Sequence, residues 1–273
     1  MKKIFYVAIF SSLLACSKKQ TTTELKDSTN IVLKDSIEKP KPINFSNQEN
    51  HLLQLYSEIE TAKENTNDLV EETSKKYSDS LISFIQNNPN SLYYSFEKLQ
   101  NQRAIYVATS TDQKFRIYSW DTHLGGTMRF FDQLFQFQSQ NKTNTKVRLA
   151  SKDAQAFFSK IYTVQQGTKS IYLAVSNSIL SSKYSTQQIT AYEIQNNNLE
   201  EVKLFKSKNQ LLSSISVEFD FFSVVDRPER PVELITLEGN KLKIPLINED
   251  LKVLNKNLIY EWNGTLFNYK GVE

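Results

Sequence analysis

Side chains able to do chemistry near neutral pH are scarce in this chain. Its 273 residues include two histidines, His51 and His123, and a single cysteine, Cys16. His123 stands two residues after Asp121 and just ahead of the adjacent glycines Gly125 and Gly126, within the stretch RIYSWDTHLGGTMRFF from Arg116 to Phe131. An Asp and a His held together can act as an acid/base pair. Alternate residues of a strand point apart, however, so only a bent loop would bring these two into contact. The glycines lack both the G-x-G-x-x-G spacing and the closing Lys and Ser/Thr of a phosphate-binding loop. Neither an H-E-x-x-H pair, a cysteine cluster nor a G-x-S-x-G elbow is present. The reading therefore assigns no catalytic residue, no metal ligand and no cofactor. Trp120, Asp121, His123, Gly125 and Gly126 form either a ligand site or a plain turn. In the turn reading, adjacent glycines supply positive φ and the Asp accepts a hydrogen bond from the turn backbone.

Cys16 has a different context. MKKIFYVAIFSSLLAC places two lysines ahead of a short apolar run and ends on Ala15-Cys16, the layout of a secretory signal. The run is shorter than the roughly 20 residues a membrane-spanning helix needs. Leu13-Leu14-Ala15-Cys16 resembles the bacterial lipobox, which implies that residues 1–15 leave as a signal peptide and that the Cys16 thiol is lipidated, with palmitate among the acyl chains. With its only thiol so used, the chain has none left for a disulfide or a zinc site. Formal charge is 33 Lys plus Arg against 30 Asp plus Glu, and loss of Lys2 and Lys3 with the leader leaves 31 against 30. Nearly balanced charge argues against a nucleic-acid partner, which would call for a clustered basic face.

Residues 16–45 are rich in Thr, Ser, Lys and Asp and read as a flexible tether. Its ends would stand roughly 30 Å apart, so the body clears the lipid headgroups. Asp27-Ser28-Thr29 and Asp35-Ser36-Ile37 fit an acceptor pattern for O-glycosylation at Ser28 and Ser36, or are ordinary solvated linker. Ser17-Lys18-Lys19 lacks the acidic run of a surface-export signal, which favours a periplasm-facing anchor, at the outer membrane rather than the inner.

Behind the tether, residues 46–100 read as helical. Ser46 and Glu49 have the spacing of a capping box, with Phe45 and Leu53 as a staple. Leu52, Leu55, Tyr56 and Ile59 make one apolar stripe, and Leu69, Val70, Thr73, Tyr77, Leu81, Phe84 and Ile85 a second, stopped by Asn87-Asn88-Pro89-Asn90. A third short turn fits at Leu92 to Leu99. From residue 101 to 273 the period changes to that of strands: runs such as AIYVATS, KFRIYSW, SIYLAVS and KLKIPLI alternate with polar or glycine-containing turns. Phe115, Ile117 and Ser119 alternate with Arg116, Tyr118 and Trp120, as in a half-buried strand. SKDAQAFFSK, capped by Ser151, reads as a helical insertion over Asp153 to Lys160. Ile105 to Ser110 recurs faintly as Ile171 to Ser176, too few times for a propeller. The fold class expected is α+β: an N-terminal helical hairpin packed on a mostly antiparallel, curled or sandwiched β-sheet of about ten strands, with 46–273 forming one body.

Tyr118-Ser119-Trp120-Asp121, Gly125-Gly126-Thr127-Met128 and the closing Tyr260-Glu261-Trp262-Asn263-Gly264-Thr265-Leu266-Phe267 together resemble a group of uncharacterised envelope lipoproteins of the Bacteroidota, over roughly residues 90 to 273. That resemblance implies an architecture and no activity. Tyr93, Tyr94, Trp120 and Trp262 fall near predicted element ends, where aromatic rings either stack on a ligand or fill a core. Asp226-Arg227-Pro228-Glu229-Arg230-Pro231 reads as a contact surface or a solvated turn. The function expected is that of a lipid-anchored envelope protein acting by binding or assembly on an envelope protein or glycan. The alternative is an envelope hydrolase, for example on glycans, whose carboxylate pair need not be close in sequence.

Overall fold

The two helical stripes become α1 (Ser46–Ala62) and α2 (Asn67–Asn87), which pack side by side and are followed by a 3-10 turn (Pro89–Tyr93) and the short α3 (Glu97–Asn101). The computed structural model describes residues 44–150 and 155–273. Cys16 with its leader, Ser28, Ser36 and the expected cap Ser151 lie outside the described residues. Leu52, Leu55 and Ile59 of α1 and Val70, Tyr77, Leu81 and Ile85 of α2 are buried together, as their spacing requires.

The start of α1 departs from the capping-box reading. The helix is capped from Asn44, whose Oδ1 accepts the Ser46 N–H at 2.9 Å. Glu49, 2% exposed, turns inward instead. It accepts the Tyr94 hydroxyl at 2.6 Å and the Lys98 and Leu99 amides at 2.9 and 3.2 Å, so it closes the first turn of α3 rather than its own helix. Burial, with Glu49 second, pushes the Tyr94 phenol up to about 12. Phe45, expected at the end of the tether, is buried edge-on against Phe84 and Tyr94.

Fifteen strands follow among the described residues, rather than about ten. They are β1 (Tyr106–Thr109), β2 (Phe115–Asp121), β3 (Phe131–Ser139), β4 (Lys142–Arg148), β5 (Phe157–Gln166), β6 (Lys169–Ile179), β7 (Tyr184–Gln195) and β8 (Asn198–Glu201). The series continues with β9 (Phe205–Lys206), β10 (Leu211–Leu212), β11 (Ser214–Asp220), β12 (Thr236–Glu238), β13 (Lys241–Ile247), β14 (Val253–Trp262) and β15 (Phe267–Val272). They form three sheets, ordered β1-β2-β3-β4, β11-β7-β6-β5 with β8 also on β7, and β10-β9-β15-β14-β13-β12. Every neighbouring pair is antiparallel except β15 with β9.

The sheets stack. Tyr118, Trp120 and Leu134 of the first sheet join the helical core on one face. Phe115, Ile117, Phe135 and Phe137 on its other face meet Phe158, Tyr172, Ala174 and Tyr192 of the second. The reverse face of the second sheet, with Leu173, Val175, Ile189 and Ala191, packs on Leu242, Ile244, Tyr260 and Phe267 of the third. The order is thus helices, sheet, sheet, sheet.

Stacking explains why β2 is buried on both faces, against the half-buried expectation. It also forces polar strand residues to find partners. Arg116 donates to Thr109 Oγ1 and to the Ser91 and Tyr94 carbonyls, while Gln136 and Tyr118 serve the same 3-10 turn. The helical insertion expected to run to Lys160 is replaced, from Phe157, by β5. Aromatic and β-branched residues there alternate against β6, with a register shift between Phe158 and Lys160. The faint repeat carries no structural equivalence: Tyr192 lies opposite Tyr172 in the second sheet, but Tyr118 lies opposite Val107 in the first, a one-residue slip that reverses faces.

Candidate functional site

Residues 122–130 connect β2 to β3 as a nine-residue loop, with Asp121 paired to Phe131 in register. Its left-handed residue is His123, at φ 59°, and neither Gly125 nor Gly126 has positive φ. Gly125 is required for a different reason. A Cβ there would lie 2.0 Å from the Met128 carbonyl oxygen, so the loop doubles back onto its own backbone. At Gly126 the same atom would meet nothing within 4 Å.

The Asp121 carboxylate accepts the His123 amide at 2.8 Å and the Arg129 guanidinium at 3.3 Å, so it braces the loop backbone and leaves the imidazole alone. The His123 ring tilts against Tyr56 of α1, 5.7 Å between centroids, with both ring nitrogens buried and without a hydrogen-bond partner among the described residues. Burial pulls its pKa below the ordinary histidine value; Asp121 and Glu60 oppose this, Lys63 and Arg129 reinforce it. Tyr56 is pushed up to about 12 by burial and by Glu60 and Asp121. Trp120 is fully buried beneath the helices, its indole N–H without an acceptor in hydrogen-bonding geometry among the described residues. Thus the five residues singled out in the sequence are a packed connection, and none presents a reactive group to an open surface. Tyr94 and Trp120 lie in the helical core and Trp262 against Phe267 at the far end of the stack, so those aromatics share no site.

A concavity of ligand size lies elsewhere among the described residues. A cleft of about 520 Å³ opens where edge strands β1 and β5 approach, within the range of about 300–1,000 Å³ common for small-molecule sites. Tyr106 and Phe157 form one wall, their rings stacked at 4.3 Å. Phe219, Phe221 and Pro231 contribute to another, and Ser159, Ser178, Ser185 and Thr186 bring hydroxyls. Arg103 stands beyond the end of α3, and Arg230 belongs to the proline-containing loop that the sequence offered as a contact surface. Among the described lining residues there is no Asp, Glu, His or Cys.

A buried amide network shapes this cleft. Gln187, fully buried on β7, donates to Asn177 Oδ1 at 2.6 Å and the Val232 carbonyl at 2.8 Å, and accepts the Leu234 and Ile235 amides. Asn177 in turn donates to Ser159 Oγ at 2.9 Å. The 226–235 segment is thereby pinned across the end of the second sheet. Arg230 stiffens it by donating to the Val225, Arg227 and Glu229 carbonyls. The composition of a stiff charged turn made that loop noticeable in the sequence; nothing in the sequence joined it to Tyr106 or Thr186.

Searches against protein-family models, curated proteins and solved structures return no match for this chain.

Proposed function

We propose that this chain is a lipid-anchored envelope protein that works by binding, holding a ligand in the cleft between β1 and β5. The observation carrying the reading is the cleft itself: walls of aromatic rings, the Ser178 and Thr186 hydroxyls without a hydrogen bond among the described residues, and a loop fixed beside it by the Gln187 network. A glycan hydrolase would need two carboxylates facing such a cleft, whereas the described lining supplies arginines, hydroxyls and aromatic rings, which supports the binding reading. Anchoring rests on the lipobox-like sequence ending at Cys16, Ser17-Lys18-Lys19 favours a periplasm-facing position, and the outer membrane is the preferred site over the inner. An envelope protein or glycan is the partner class.

The deciding experiment is hydrogen exchange on the full chain in detergent during exposure to envelope extracts and defined saccharides. Protection gained at 104–107 and 176–187 supports the reading, and a ligand that protects only other segments overturns it. In parallel, Cys16→Ala should lose the acyl mass and membrane retention of the parent.

A further inference from the structure

We infer that the cleft ligand is an acidic sugar, a pyranose carrying a carboxylate or phosphate, an assignment that rests on the cleft being the binding site. Charge is the first reason. The described lining has two arginines and no acid. Arg230 is already committed to three carbonyls and lies over the Phe221 ring. Arg103 is not committed. Its backbone N–H bonds the Gln100 carbonyl, and the arginine ion pairs among the described residues belong to Arg129, Arg148 and Arg227. A guanidinium uncommitted among the described residues, beside a cleft whose described lining holds no acid, matches a planar or tetrahedral oxyanion through two parallel hydrogen bonds.

The second reason is the pattern along the second sheet. On the face turned to the first sheet, β6 runs Tyr172, Ala174, Ser176, Ser178 and β7 runs Tyr192, Thr190, Gln188, Thr186. Both strands are aromatic where the first sheet covers them and turn polar toward the cleft. Ser178 and Thr186 are direct cross-strand partners, and their hydroxyls make no hydrogen bond among the described residues. A hydroxyl floor suits the equatorial hydroxyls of a sugar and is wasted on an acyl chain. The third is the stacked Tyr106 and Phe157 pair, which puts apolar ring surface into the cleft wall, where the C–H groups of a pyranose can pack.

Titration calorimetry on the full-length chain in detergent micelles tests this with four probes: trigalacturonate, glucose 6-phosphate, maltotriose and inorganic phosphate. At least one acidic sugar should bind at least about tenfold tighter than both maltotriose and phosphate, and the advantage should shrink in high salt. Preference between the two acidic probes separates a carboxylate from a phosphate. Arg103→Ala should cost about tenfold for the acidic probe. Thr186→Val, which keeps shape and removes the hydroxyl, should weaken it severalfold. Maltotriose binding as well as the acidic sugars, or an Arg103→Ala variant that binds unchanged, overturns the acidic class. Exchange protection at 176–187 with maltotriose would then leave the cleft reading standing. If no probe protects 104–107 or 176–187, the acidic-sugar assignment falls, and the cleft reading falls with it only if envelope extracts protect neither segment.

Discussion

The β2–β3 loop and the β1–β5 cleft draw on the same residue types, an arginine, aromatics and small polar groups at strand ends, and use them in opposite ways. In the loop, Asp121 is taken by His123 and Arg129, and Thr122 binds the Phe130 carbonyl through both its amide and its hydroxyl. Its rings, Trp120 and His123, face the helices. In the cleft, Arg103 and the hydroxyls of Ser178 and Thr186 are uncommitted among the described residues, while Asn177, Gln187 and Arg230 are engaged in hydrogen bonds. A site differs from a joint in where its polar valence is left over, and not in which residues it contains.

Truncating Trp120 should break the joint most severely. Trp120→Ala removes a fully buried ring between the first sheet and the helices, at about 3–5 kcal/mol, read from urea unfolding. Affinity at the cleft should be untouched in the molecules that remain folded. A Trp120→Ala protein of parental stability would mean that the helical layer is not held by this core.

The paired glycines sharpen the contrast at the next scale. Gly125→Ala drives a methyl into the Met128 carbonyl and should cost about 2 kcal/mol or more, since backbone must move. Gly126→Ala should stay within about 0.5 kcal/mol. Equal effects would show that the two glycines serve a common conformational need, as the sequence suggested.

A smaller effect belongs to His123. Burial disfavours the charged form of this ring in the fold and lowers its pKa, whereas the unfolded chain protonates it near 6.5. Near and below that pH the unfolded state binds a proton more readily than the folded state, so stability falls as pH falls, by at most about 1.4 kcal/mol per unit for one proton. It is restored as pH rises above 6.5. Glu60 and Asp121 resist this and Lys63 and Arg129 support it. His123→Asn tolerates the left-handed backbone and should flatten the slope between about pH 6.5 and 5. An unchanged slope would assign the dependence to the carboxylates.

Local periodicity made the helices and the antiparallel character legible, because the stripes in α1 and α2 mark most of the buried face, although Leu69 of the second stripe is exposed and Glu49, Ser74 and Ser78 are buried outside the stripes. Layering was not legible. β2 alternates like a half-buried strand, yet Arg116 and Ser119 are buried because the 3-10 turn and β5 bring partners from 25 and 39 residues away. Glu49 shows the same limit: its spacing from Ser46 satisfies a local rule, and α3 supplies a better set of donors. SKDAQAFFSK carries helix formers, but the two phenylalanines had hydrophobic contacts waiting on Phe131 and Phe135. The cleft was least legible of all, since it assembles from residues spanning Gln100 to Val232 through a sheet order that no local pattern encodes.

The finest distinction falls on Arg103. It is exposed, enters no ion pair among the described residues and sits at φ 54°, so its side chain contributes little to the fold. Arg103→Asn should therefore leave urea unfolding within about 0.5 kcal/mol of the parent, with relief of the left-handed backbone offsetting any lost contact. Retained stability combined with lost acidic-sugar affinity is the behaviour of a residue kept for its ligand. Lost stability would instead make Arg103 part of the joint, since a guanidinium needed to hold α3 against β1 could not also be the free donor that the cleft requires.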